Sequence, residues 1–159
     1  MATDGYNTVL IKDYNIKAEL TATKRVAYQR FTFPESGESH ILFAIGNRQG
    51  ESGPAIDAEV TVCSNDLVEG WVKTLPEYSK KYQDGATVTM YFSAKLDKEA
   101  ESFGTFIKED VKAGQPTIKG VGAGAYLNYQ TKAGETITAK VGLSYTSVEN
   151  ARLNRETET

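Results

Sequence analysis

Apolar and polar residues alternate with period two along most of this chain, interrupted by turn residues about every 8 to 14 positions. That period sends successive side chains to opposite faces, so the chain is committed to half-buried β-strands rather than helices. Ile16 to Thr23 sets Ile16, Ala18, Leu20 and Ala22 against Lys17, Glu19, Thr21 and Thr23. Val26 to Phe33 repeats the device, with Tyr28 and Arg30 on one side and Phe31 and Phe33 on the other. Pro34 ends that strand because it has no N–H to give to a ladder.

Eight further segments extend the pattern. Tyr6 to Lys12 is rich in β-branched and aromatic residues and turns back at Asp13-Tyr14-Asn15. After a polar turn at Glu35 to Glu38, the run His40 to Ile45 is apolar without alternation, as expected of a strand buried on both faces. Gly46 to Pro54 is a glycine-rich loop. Ala58 to Cys63 and Leu67 to Thr74 pair across Ser64-Asn65-Asp66, and Glu77 to Gln83 is a loop or a short helical turn. Thr87 to Lys95, Ser102 to Lys108, Ala125 to Thr131 and Thr136 to Tyr145 complete the set, the last two joined by Lys132 to Glu135. Ser147 is a good N-cap for a short helix over 148–154, followed by a tail, 156–159, with nothing to pack. The expectation is an all-β chain: one antiparallel β-sandwich domain over residues 1–159, with about ten strands and a short C-terminal helix.

Composition excludes several functions. With 40% hydrophobic and 25% charged residues, the 159-residue chain has the make-up of a folded domain. Its net charge is −3 with no block of like charges, so it lacks the basic footprint of a nucleic-acid partner. No segment has the length of a transmembrane helix, and residues 1–6 show no charged or apolar signal-peptide pattern. Cys63 is the only cysteine, which rules out an internal disulfide and a cysteine-based zinc site. It is expected to be a small buried hydrophobe, since a nucleophilic role needs a histidine partner and His40 is the only one.

The remaining candidate groupings favour structural readings. Gly120-Val121-Gly122-Ala123-Gly124 has the look of a phosphate-cradling loop, but it leads into a strand instead of opening a helix. It is expected to start a strand with close backbone packing. Asp57 and Glu59 share a strand face, and Glu109 and Asp110 are adjacent at a strand end; both pairs read as solvated acids rather than a glycosidase pair. His40 is expected at a strand end or partly exposed. Trp71, with Tyr78 and Tyr82, would supply a platform for a sugar ring, although Trp71 is expected to fill the core. Arg48 and Gln49 are a polar pair on the glycine-rich loop. No catalytic, cofactor-binding or metal-binding residue is assigned.

Two segments carry a more specific resemblance: Ile16-Lys17-Ala18-Glu19-Leu20-Thr21-Ala22-Thr23-Lys24-Arg25 with Arg30-Phe31-Thr32-Phe33-Pro34, and Gly142-Leu143-Ser144-Tyr145-Thr146-Ser147-Val148-Glu149-Asn150-Ala151-Arg152-Leu153-Asn154. With Ser102 to Phe106 and Gly122 to Leu127 between them, the chain resembles the N-terminal β-sandwich domain of glycoside hydrolase family 92. That resemblance implies a fragment of a calcium-dependent exo-acting α-mannosidase that acts on N-glycans or mannan, found in the periplasm, at the cell surface or secreted by bacteria. In the family the sandwich packs on an (α/α)6 barrel, which carries the calcium, the general acid glutamate and the aspartate that activates water. The family sandwich also begins further upstream. This chain therefore carries no family catalytic residue and no cofactor of its own, and its implied partners are the catalytic barrel and mannose-containing glycans.

The chain departs from the family pattern at several positions. Ala27 and Gln29 stand where glycine and histidine are usual, and Ala44 and Asn47 where acidic and histidine residues are common. Arg155 replaces an aliphatic residue. These changes suggest a trimmed or engineered stand-alone domain with polar residues on a face otherwise covered. Two other readings stay open: a stand-alone module that holds mannosides on the Trp71 patch, and an adhesin-like interaction domain.

Overall fold

The structure is a computed structural model that describes residues 2–3, 5–48 and 53–158. The strands are β1 (Ala2–Thr3), β2 (Tyr6–Ile11), β3 (Ile16–Ala22), β4 (Val26–Phe33), β5 (Ser36–Phe43), β6 (Ala55–Ser64) and β7 (Leu67–Thr74). They continue with β8 (Val88–Leu96), β9 (Ser102–Ile107), β10 (Asp110–Ala113), β11 (Thr117–Lys119), β12 (Ala123–Thr131) and β13 (Glu135–Ser144), and the chain closes on helix α1 (Val148–Thr157). Every pairing is antiparallel. A nine-stranded sheet runs β1-β2-β3-β4-β13-β8-β7-β6-β11, and a four-stranded sheet runs β10-β9-β12-β5. No helix among the described residues is long and apolar enough to cross a membrane.

The alternation sets which side chains fill the space between the sheets. Phe33, Val60, Val62, Val68, Phe92, Leu96 and Ile137 come from the large sheet, and Ile41, Leu127 and Tyr129 from the small one. Burying each of the large aliphatic ones contributes about 1.5–3 kcal/mol. Phe43 and Phe92 join the layers as a stacked pair, with centroids 6.4 Å apart and planes 12° apart.

Thirteen strands are present among the described residues, against the ten expected. The additional ones, β1, β10 and β11, are edge strands of two to four residues, too short to show a period. The polar segment before His40 is not a turn: Ser36 already pairs with Thr131. The run after it is not buried on both faces either. β5 alternates, with Ser39 and Ile41 inside, while His40 is exposed and Leu42 is 61% exposed. Nothing among the described residues covers that side of the small sheet, and an apolar outward residue erases the alternation in the sequence.

Helix α1 lies on the opposite face of the large sheet, against β13, β8 and β7. Ser147 caps it as expected, its Oγ accepting the Asn150 N–H at 3.1 Å. Gly142 of β13 makes the close approach: a Cβ there would stand 2.7 Å from Arg155 Cβ and run into the Ala151 carbonyl. The helix runs to Thr157, and the tail is not idle. The Glu158 carboxylate accepts from Thr23 Oγ1 and from the Arg25 backbone N–H (3.1 Å) and Nε (2.6 Å), and Tyr28 donates to its carbonyl at 2.7 Å. Polar contacts, which carry no apolar period, dock this end. Arg155, expected on an exposed face, is only 7% exposed, between α1 and β13. Thr159 lies outside the described residues.

Candidate functional site

The unequal sheets create the main concavity. β4, β13, β8 and β7 continue beneath and beyond β5, the last strand of the small sheet, and leave a cleft of about 560 Å³. One wall is the inner face of the large sheet: Phe31 and Phe33 from β4, Val141 and Leu143 from β13, and Met90 and Phe92 from β8. The other is β5 with the residues after it, Ile41 to Ile45. The few polar groups on its walls are Gln29, His40, Asn47 and Thr74. A cleft this apolar favours an occupant that can be desolvated against its walls. Gln29, Ala44 and Asn47, three of the positions where the resemblance implies other residues, are brought together here from β4 and the segment after β5. Ala27 lies on the same strand face as Gln29 but outside this cleft.

The other sequence candidates are scattered. His40 sits mid-strand on β5, where its Nδ1 donates to Asn128 Oδ1 at 2.7 Å. Cys63 is on β6 of the other sheet, so the two form no nucleophile–base pair. Cys63 is also exposed, not buried, because Ala58, Val60 and Val62 take the inward positions of β6 and leave it facing outward. Its Sγ donates to Glu69 Oε2 at 3.6 Å. Partial burial and the neighbouring carboxylate push the thiol above its ordinary value, away from the nucleophilic thiolate.

Trp71 does not fill the core. Val68, Gly70 and Val72 occupy the inward side of β7, and Trp71 lies half-buried on the outer face with Lys119 Nζ 5.3 Å from its ring centroid. Tyr78 and Tyr82 are well exposed, and among the described residues neither ring stacks on Trp71. Asp57 and Glu59 do share the outer face of β6. Asp57 is engaged by Lys119 at 3.7 Å, and its Oδ1 accepts the Ala58 N–H at 2.9 Å. Asp110 pairs with Lys112 at 3.0 Å on an exposed edge beside exposed Glu109. Arg48 pairs with Glu77 at 3.0 Å, while Gln49 lies outside the described residues.

The glycine run is structural, as expected. Gly122 needs its φ of +88° for the turn into β12, and a Cβ on Gly124 would run into the Phe106 ring, 2.5 Å from its Cε2.

Two carboxylates missed in the sequence are held strongly by cations. Arg152 clasps Glu69 through two hydrogen bonds, and Ser93 donates to Glu69 Oε1 at 2.6 Å. Burial raises the Glu69 carboxyl, but Arg152 and Ser93 outweigh it and hold the group below its ordinary value. Glu19 accepts two bonds from Arg30, with Tyr6 and Lys17 beside them, which brings its carboxyl down to about 2. Both carboxylates spend their oxygens chiefly on protein donors, Glu19 tying β2, β3 and β4 together and Glu69 tying β7 and β8 to α1. Among the described residues no three His, Cys, Asp or Glu side chains converge to hold a metal ion.

Comparison with known proteins agrees with the fold. The profile of the glycosyl hydrolase family 92 N-terminal domain matches residues 1–144. A search of curated proteins finds no match. Among solved structures, the family GH92 α-mannosidase BT3965 from Bacteroides thetaiotaomicron superposes with a TM-score of 0.84 at 23% identity, over 96% of this chain and 20% of its own. The family GH92 inverting mannosidase BT2199 from the same organism gives 0.80 at 22% identity, over 100% of this chain and 20% of its own. The family GH92 glycosyl hydrolase ccman5 gives 0.71 at 25% identity, over 90% and 18%. This chain thus spans about one fifth of the length of the mannosidases it matches.

Proposed function

Because the chain belongs to the glycosyl hydrolase family 92 N-terminal domain family, we propose that it is the β-sandwich domain, residues 1–159, of an exo-acting α-mannosidase and performs no catalysis alone. One observation carries the reading: the chain is covered almost completely by structures of which it fills a fifth. The open cleft is consistent with it, since an apolar concavity of this size is a surface for a neighbour. Under this reading the neighbour is the (α/α)6 barrel that the resemblance implies, and Gln29, Ala44 and Asn47 lie on the covered wall.

Inverting hydrolysis needs a general acid and a base on opposite sides of the sugar, about 6.5–9.5 Å apart. In this proposal both come from the barrel, together with any calcium, and mannose-containing glycans meet the sandwich only at the seam. The Trp71 module is disfavoured because Lys119 already occupies a face of the indole. Reading the gene beyond Thr159 tests the proposal. A frame that continues into a long helical region is expected, and a stop codon directly after residue 159 would contradict it.

A further inference from the structure

We propose that the outer face of the four-stranded sheet carries a second, separate site: a pocket for the ring of a neutral hexopyranose, centred on Tyr126 and Asn128. The proposal does not rest on the mannosidase reading, because it uses only groups of this chain.

The pocket, about 270 Å³, lies where β9 and β12 pair. It is smaller than the roughly 300–1,000 Å³ of drug-sized sites and suits one sugar ring. Its aromatic wall is unusual for a sheet surface. Tyr126 pairs with Gly104, and a Cβ on that glycine would stand 2.5 Å from Tyr126 Cζ. The phenol therefore lies down across β9 instead of standing up from the sheet, and it is only partly buried. A ring held this way offers its face to the apolar C–H side of a pyranose.

Beside it runs a fixed polar ladder. His40 Nδ1 donates to Asn128 Oδ1 at 2.7 Å, and Asn128 Nδ2 donates to Ser102 Oγ at 2.9 Å. These bonds leave the second Asn128 N–H and the Ser102 O–H as donors. Asn65 spends its amide nitrogen on the Ala100 carbonyl, which leaves its oxygen as an acceptor, and Glu101 gives one carboxylate oxygen to the Gln130 N–H. Donors and acceptors both stand beside one aromatic wall, and no cation lines the pocket. That chemistry suits vicinal hydroxyls and gives an anion nothing to pair with.

NMR titration of the labelled chain with methyl α-D-mannopyranoside and methyl α-D-glucopyranoside tests the site. Saturable shifts at the Asn128 side-chain amide and the Tyr126 ring are expected with at least one of them. Tyr126→Leu, which keeps Gly104 covered, should weaken binding about five- to tenfold. Ser102→Ala, at an exposed position, should weaken it about three- to tenfold. Trp71→Ala should leave it unchanged. Absence of shifts with both sugars, or shifts confined to Trp71 or the open cleft, would overturn the proposal. Neither result bears on whether a catalytic domain follows the sandwich.

Discussion

Arg152 of α1 and Glu69 of β7 are joined end to end, Nε to Oε1 at 2.9 Å and Nη2 to Oε2 at 2.7 Å. Glu69 is buried and Arg152 half-exposed, so the pair ties the helix to the sheet while one partner stays in contact with water. Removing Arg152 leaves a buried carboxylate without its cation. Arg152→Ala is expected to cost about 1–3 kcal/mol, read as a lower urea midpoint at neutral pH. Glu69→Gln, which keeps the Ser93 bond, should cost less.

Acid should act through the same kind of group. Arg30, Tyr6 and Lys17 hold Glu19 at about 2, and Thr23 and Arg25 hold Glu158 at about 2, both below the ordinary 4.5. Glu69 is lowered as well, by Arg152 and Ser93 against its burial. A carboxyl with a depressed folded-state value binds its proton more readily when unfolded, so its contribution is complete above pH 4.5 and is lost as pH falls toward 2. Urea midpoints measured from pH 7 to 2.5 should stay level to about pH 5 and then fall. A midpoint that holds level or rises below pH 4 would contradict this.

Gly142 is expected to tolerate no side chain. The added Cβ of Gly142→Ala meets the Ala151 carbonyl and Arg155 Cβ, and so must push α1 from the sheet. A loss of about 1–3 kcal/mol is expected, with faster hydrogen exchange in α1 than in β12.

Arg155 should be a weak point. Its Nη2 donates to Glu156 at 3.1 Å, while buried Nη1 has no partner among the described residues. An unsatisfied buried donor costs about 1–3 kcal/mol, and an apolar side chain of similar length removes that cost. Arg155→Met should therefore raise the thermal midpoint, and a lower midpoint would show that the guanidinium is satisfied. The burial also explains why an aliphatic residue suits this position.

Much of the fold was legible because one face of most strands is packed. β6 alternates as expected, and so does β13 through Ile137 and Ala139, since the interior filters their side chains. Residue type alone points Cys63 and Trp71 inward, whereas the parity of Val60 and Val62, and of Val68 and Val72, sets them outside. β5 hides its alternation because Leu42 is apolar on an uncovered face, and periodicity records side chains but not what lies above them. The cleft had no signal of its own. Phe31, Met90 and Val141 carry the same apolar pattern whether a second sheet covers them or not. The Tyr126 pocket depends on the register that sets Tyr126 opposite Gly104, which only the pairing of β12 with β9 reveals.

If this sandwich is a non-catalytic part of a mannosidase, the purified chain alone turns over no mannoside. The purified chain is incubated with an α-1,2-linked mannobioside, with and without added calcium, and free mannose is measured. No release above buffer is expected in either condition, whereas sustained release that follows the purified chain would show that the sandwich itself catalyses hydrolysis.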